Sequence, residues 1–366
     1  MDFGIAFPSY VDAWKDAEIA EANGFSHAWF YDSQLLYSDV YACMALAAEH
    51  TRKLVLGTCV AIPSNRIAPV TASAIATINA IAPGRVILGL GTGFTGRNTM
   101  GLPALSVAAL REYVLQVRAL LAGEDVLFRE GKRERWIRLL HPARRRGFLN
   151  LDDPIPIHIA ANGPRAIALT GEVGDGWITA VQVPETLRPA LAAIAESARD
   201  HHRTFEGTDD DRKPYTTMLS SGCILRDGET LASPRIAQRI GPIAVVPMHA
   251  AWESAHGGAG FGISDDAGAR AYGEYIDRYA KERGSPKDRR YLDVHEGHMV
   301  FLKEGEEKFV REDAVAFLSL TGRPDEVLER IRALAAAGVD NLALQALPGQ
   351  AREFIEEFGR HVISKF

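Results

Sequence analysis

The feature that most constrains this chain is a rhythm. Short runs of β-branched and aromatic residues alternate with stretches whose apolar positions recur every three or four residues, the pattern of parallel βα units. Eight strand candidates follow it: Phe3–Phe7, His27–Tyr31, Leu54–Thr58, Val86–Leu90, Ile155–Ala160, Gly176–Thr179, Tyr215–Ile224 and Asn341–Gln345. In the first helical stretch Trp14, Ala17 and Ala20 share a face, and Gly24 stands where a helix C-terminus is capped before the second strand. Eight such units close most naturally into a (β/α)8 TIM barrel. A doubly wound sheet usually has fewer parallel strands and a glycine-rich turn after the first, and the turn here, PSYVD, has no glycine. Two stretches break the rhythm, at about 123–150 and 227–320, and read as loop insertions in a single barrel domain spanning 1–366.

Composition narrows the partners. Of 366 residues 41 are Lys or Arg and 47 are Asp or Glu, a formal charge of −6, so the basic excess expected of a nucleic-acid binder is missing. No apolar run reaches the roughly 18 residues of a membrane span, and MDFGIAFPSY carries no signal-peptide pattern. Cys43, Cys59 and Cys223 are odd in number and lack CxxC spacing, which supports neither a disulfide framework nor a zinc site. A cytoplasmic enzyme acting on a small molecule is the expectation.

In a barrel, ligands sit at the C-terminal ends of the strands, where Asp32, Thr58 to Val60, Gly91 to Gly93, Ala160 to Pro164, Thr179 and Gln345 fall. Small residues at Gly91, Thr92 and Gly93 let backbone approach a ring or phosphate, or simply make a tight turn. Asn162 and Gly163 precede a helix with Pro164 in its first turn, whose free N–H groups form an anion site to which Arg165 adds charge; a plain capped turn is the alternative. The segment YLDVHEGHMVFL offers His295 and His298 for proton transfer, with Asp293 to orient one of them; a packing role is the alternative, and the spacing is not the zinc signature HExxH. Phe94, Met100 and Trp252 are candidate apolar walls. The basic run KRERWIRLLHPARRRG reads as a solvated loop or as an anion contact. Asp175 reads as a turn residue, and His27 as a satisfied strand residue.

Three blocks carry a resemblance: Leu56 to Gly93, ending in IAPGRVILGLGTG; Ile155 to Ala180, IPIHIAANGPRAIALTGEVGDGWITA; and Leu320 to Gln345, LTGRPDEVLERIRALAAAGVDNLALQ. Together they resemble the luciferase-like monooxygenase superfamily, on its methylenetetrahydromethanopterin reductase branch. The resemblance implies a non-prolyl cis peptide at Cys59–Val60 behind an isoalloxazine or deazaflavin ring. It also implies cofactor contacts from Thr58, Cys59, Val60, Gly91, Thr92, Gly93, Ala161, Asn162, Gly163, Pro164, Arg165 and Thr179. Deazaflavin-dependent relatives read Asp-His beside the reacting ring; this chain reads WFYDSQLL, so Asp32 is retained and Ser33 replaces the histidine. Ser33 is no base near neutral pH without a partner. The implied function is hydride transfer between coenzyme F420 and a small organic substrate, with Asp32, Ser33, His295 and His298 as the catalytic candidates. The alternative is an FMN-dependent monooxygenase using O2 and a flavin reductase partner. A non-catalytic flavin-binding protein would be shortened and lidless, and a metal enzyme would need more ligands at the strand ends than Asp32. The family also implies a homodimer through the second and third helices, whose alanines (Ala42, Ala45, Ala48; Ala72, Ala76, Ala80) equally suit packing on the barrel.

Overall fold

The structure is a computed structural model describing residues 1–180, 183–205, 213–256 and 266–366. In chain order its strands are β1 (Asp2–Phe7), β2 (His27–Phe30), β3 (Val55–Thr58), β4 (Val86–Leu90), β5 (Val126–Glu130), β6 (Arg133–Ile137), β7 (Ile157–Ala160), β8 (Gly176–Thr179), β9 (Tyr215–Ile224), β10 (Ser319–Gly322) and β11 (Asn341–Gln345). The parallel order β11-β1-β2-β3-β4-β7-β8, closed through β9, makes an eight-stranded barrel with helices outside. All eight strand candidates are barrel strands. Their ends shift by a residue or two; β7 begins after Pro156, which has no N–H to give a ladder.

The interior explains the inward residues. Trp29 on β2 is fully buried, and glycines around it leave room for its indole: a Cβ on Gly57 would lie 2.3 Å from the ring, and one on Gly4 2.8 Å from its Nε1. Nearer the N-terminal end, His27, His158, Tyr215 and Asn341 fill the floor, with Asn341 bonded to both Trp29 Nε1 (3.0 Å) and His27 Nδ1 (3.1 Å). His27 is thus a satisfied strand residue. Burial pushes both His27 and His158 down to about 4, so both are neutral. Asp175 accepts from Ile157 N–H and from Arg118 and Arg203, tying β7 and β8 from outside. Gly24, at φ +87°, follows the helix Ala13–Ala22 as expected.

The first insertion is not only a solvated loop. β5 and β6 form an antiparallel hairpin turned at Gly131 (φ +60°). Both its faces are largely exposed, so the period-two apolar signal that reveals a strand is missing. The second insertion leaves from β9 and is largely helical (Pro234–Ala244, Val246–Ala255, Asp266–Glu282, Arg290–His295, Glu312–Leu318) before returning as β10. Of its glycine-rich HGGAGFGISDDAGA, residues 257–265 lie outside the described part. β9 pairs with β11 over Thr217 to Ser220 and then with β10 over Ser221 to Ile224. No described helix is long and apolar enough to cross a membrane.

Candidate active site at the barrel mouth

A cavity of about 460 Å³ opens at the C-terminal ends of the strands. Its wall combines the residues after β2 (Tyr31, Asp32, Ser33), those after β3 (Cys59, Val60, Ile62), Gly91 to Gly96 after β4, Asn162 and Gly163 after β7, Ile178 to Ala180 from β8, Leu219 of β9 and Met299 of the insertion. Most of the candidates from the sequence therefore meet there: Asp32, Ser33, Cys59, Val60, Gly91, Thr92, Gly93, Asn162, Gly163 and Thr179, with Phe94 among the walls.

The others stand behind the wall. Thr58 turns its hydroxyl to the Gly89 carbonyl at 2.7 Å. Ala161 is buried, its N–H bonded to Ile178 O and its carbonyl to Trp177 Nε1. Pro164 begins the helix Pro164–Val173, and the Arg165 side chain is exposed to solvent. Gln345 spans Ser221 Oγ and the Met299 carbonyl. Met100 is half exposed and accepts from Gln34, while Trp252 packs in the core of the insertion.

The backbone at the mouth is shaped for close approach. The Cys59–Val60 peptide bond is cis. Gly91 faces it closely, since a Cβ there would lie 2.7 Å from a Val60 methyl. Gly93 has φ +80°, the left-handed region that glycine adopts freely. Gly163 differs: a Cβ there meets nothing within 4 Å, and it caps its helix without a side-chain hydrogen bond, so the first N–H groups face open space. Thr179 Oγ1 donates to Asn162 Oδ1 at 3.1 Å and fixes that turn.

Asp32 is the one charged side chain on the described lining. Burial raises its pKa, and Arg66, 3.3 Å from both carboxylate oxygens, opposes that together with the Ile62 N–H. Arg66 is held in turn by Asp39 and by the Tyr41 ring. Asp32 is thus an anchored carboxylate beside Ser33. Cys59 is no nucleophile, because burial pushes its thiol up to about 12.

The histidines are placed differently from the expectation. His295 ends the helix Arg290–His295 and bonds Glu253 at 2.8 Å, while Asp293 bonds Ser285 rather than an imidazole. His298 Nδ1 meets His249 Nδ1 at 2.9 Å, and His249 Nε2 meets Glu306 at 3.1 Å. Burial lowers His249 to about 4 and His298 further. Burial would raise Glu306, but His249 and Lys303 hold it down to about 2. A neutral His249 therefore donates Nε2–H to Glu306 and accepts at Nδ1 from His298. Neither His295 nor His298 lines the cavity. His298 instead fastens the turn before Met299, its carbonyl accepting from Tyr37 at 3.1 Å while Met299 reaches the cavity with φ +60°.

Sequence reasoning missed Tyr31, Tyr37 and Met299 as wall residues. The period of two running through His27, Trp29 and Tyr31 signals the first; nothing local signals Met299. Among the described residues no group of three or more His, Cys, Asp or Glu could hold a metal.

Comparison with known proteins agrees with this geometry. Residues 8–341 match the family described as luciferase-like monooxygenase. Over its whole length the chain is 27% identical to 5,10-methylenetetrahydromethanopterin reductase of Archaeoglobus fulgidus, covering 99% of that protein. It is 30% identical to F420-dependent glucose-6-phosphate dehydrogenase of Nakamurella multipartita, covering 81% of the chain and 83% of the relative. With other curated relatives the match is shorter, and the chain covers 50 to 60% of their length. The coenzyme F420 dependent tetrahydromethanopterin reductase from Methanopyrus kandleri has the same fold, with a TM-score of 0.68 at 22% identity over 100% of this chain and 99% of that one. A barrel with its mouth built on these three sequence blocks, matched by one family over nearly its full length, makes this protein an enzyme of the luciferase-like monooxygenase family.

Proposed function

We propose that the protein is an oxidoreductase using coenzyme F420 to move a hydride to or from a small organic substrate. The observation that carries this is the close packing of Gly91 against Val60 on the cavity wall, where a Cβ on Gly91 would come within 2.7 Å of a Val60 methyl. Together they present a small-residue, nearly uncharged wall that suits the face of a flat ring. The relatives named F420-dependent support the choice of coenzyme.

On this reading Cys59, Val60 and Gly91 to Gly93 hold the ring, and Asn162, Gly163 and the first N–H groups of Pro164–Val173 take the anionic tail. Bound there, the coenzyme supplies a hydride donor or acceptor; the protein supplies orientation and electrostatics. Asp32, fixed by Arg66, and Ser33 stand on the substrate side. His298 serves as the fastening that sets Met299 over the cavity, and His295 is held by Glu253. The FMN reading is the weaker second, and it requires O2 and a flavin reductase partner.

Cytoplasmic location and a homodimer belong to the same proposal. Of the alanines expected at a dimer face, Ala48, Ala72 and Ala76 are buried in the core, while Ala42 is exposed beside exposed Leu46 on a helix that packs against the one carrying exposed Val70.

The test is an equilibrium fluorescence titration with coenzyme F420 and, separately, FMN. Micromolar or tighter binding of F420 with weaker FMN binding is expected. A preference for FMN turns the assignment to oxygenation, and binding of neither removes the cofactor site.

A further inference from the structure

One residue reaches the cavity from outside the barrel. Among the described lining residues Met299 alone comes from the second insertion, and the others belong to the barrel's strands, helices and loops. Its side chain is half-buried and packs against the buried cluster that holds Tyr31, Cys59 and Ile178, three residues of the cavity wall.

The backbone there is in a conformation that has to be held. Met299 has φ +60°, in the left-handed region that a residue with a Cβ avoids, and Gly297 just before it has φ +75°. The Met299 carbonyl accepts from Gln345 Nε2 at 2.8 Å, and Gln345 is held in turn by Ser221 at 3.0 Å. The preceding carbonyl, that of His298, accepts from Tyr37 at 3.1 Å. On the insertion side the His298 ring is bonded to His249, and Glu306 takes His249 at 3.1 Å, Tyr272 at 2.7 Å and Lys303 at 2.7 Å, all of them buried. Strain that the surroundings hold from both sides in this way collects at ligand sites.

The backbone is fixed, but the side chain is not. Methionine carries an unbranched, adaptable thioether, so a rigid post presents a soft apolar wall. The rest of the lining sets the chemistry. Among the described residues no Lys, Arg or His lines the cavity, and its one charged group, Asp32, is a carboxylate held by Arg66. A phosphate or carboxylate on the substrate would meet no side-chain cation there, whereas an uncharged apolar group would meet Met299, Phe94 and Leu219.

We propose that Met299 is the specificity-determining residue of this site, whose side chain bounds the substrate's space and limits the reaction to small, uncharged, apolar substrates. This rests on the reading of the cavity as the reaction site.

The experiment is calorimetric titration of the protein, with and without saturating oxidised F420, using three probes: cyclohexanone, the larger 4-tert-butylcyclohexanone, and cyclohexanecarboxylate. The wild-type protein should bind cyclohexanone about tenfold more tightly than either of the others. Met299→Ala should gain about tenfold for the larger ketone, because the lost thioether leaves room for the tert-butyl group, while its F420 affinity stays within about twofold. Met299→Gly should do the same, and glycine suits the left-handed backbone, so the result does not depend on how well the alanine variant folds. Met299→Lys puts a cation on a wall that has none and should gain about tenfold for the carboxylate. A side chain that only packs the insertion against the barrel gives neither gain. No binding of cyclohexanone to the wild type, equal affinity for the two ketones, tighter binding of the carboxylate, unchanged ketone selectivity in Met299→Gly, unchanged carboxylate affinity in Met299→Lys, or an F420 affinity that falls with that for the ketone overturns the proposal. The coenzyme reading fails separately, through the F420 fluorescence titration, and the arm without F420 still tests Met299.

Discussion

The floor and the mouth of the barrel are built from the same strands, two to four residues apart, yet they use the same residue types for opposite ends. At the floor, glycine makes room for protein: Gly57 and Gly4 admit Trp29, and Gly176 admits His158, which a Cβ would approach to 2.5 Å. At the mouth Gly91 still admits protein, a Val60 methyl at 2.7 Å, but Gly163 borders open space. Polar groups divide likewise. Asn341 is bonded on two sides at the floor, while the Tyr31 hydroxyl at the mouth is bonded on none. Apart from His158 Nδ1, the floor's polar groups named here are bonded within the protein, whereas the mouth opens on a cavity, and that difference marks where a ligand belongs.

The harshest way to break this comparison is to fill a floor-side glycine. Gly89→Ala would place a Cβ 2.1 Å from the Thr58 carbonyl oxygen, a backbone atom that cannot swing aside. A loss of more than about 3 kcal/mol is expected in urea unfolding, or no soluble protein at all.

Lowering the pH should strain the buried histidines next. His27, His158 and His249 have folded-state pKa values of about 4, below the roughly 6.5 of an unfolded histidine. The unfolded chain therefore takes up protons first, and their contribution is complete above about 6.5, falls as the pH drops toward 4, and levels off below. At pH 5 each costs at most about 2 kcal/mol, so urea midpoints should fall clearly between pH 7 and pH 5. Identical midpoints would mean that these imidazoles are not desolvated.

Gly163→Leu sharpens the contrast at the mouth. Stability should stay within about 0.5 kcal/mol of wild type, because the new side chain meets nothing, while F420 affinity falls about tenfold or more. Unchanged affinity would take the anion site away from that turn. The smallest effect belongs to the hairpin: Trp136 is 69% exposed, and Trp136→Ser should shift the melting temperature by no more than about 0.5 kcal/mol implies.

The barrel was legible because each of its strands carries a local signal, an apolar run bounded by turn residues, that survives burial on both faces. The mouth was legible in part for the same reason: strand ends place Asp32, Cys59, Gly91 and Gly163 without knowledge of anything distant. The hairpin escaped because Arg133 to Arg135 and Trp136 face solvent on both sides, leaving no periodic pattern to read. The histidines were misplaced for a deeper reason. His298 is positioned by His249, 49 residues away, which Glu306 holds in turn, and no spacing within HEGH announces them. Tyr31 shows the limit most clearly, since an unpaired hydroxyl is a property of what surrounds it and not of its neighbours in sequence.

The strand exchange along β9 bears on how such a protein diversifies. Ile224, where the second insertion departs, and Ser319, where it returns, stand on adjacent strands three rungs apart, within roughly 11 Å. Both ends are clamped by barrel-edge hydrogen bonds whatever lies between them. The entropic cost of closing a longer or shorter segment across so small a gap grows by only about 0.6 kcal/mol per doubling of length. The stretch that carries Met299 to the cavity is therefore an exchangeable cassette, and relatives could be re-tuned by splicing between 224 and 319 while the barrel is left as it stands.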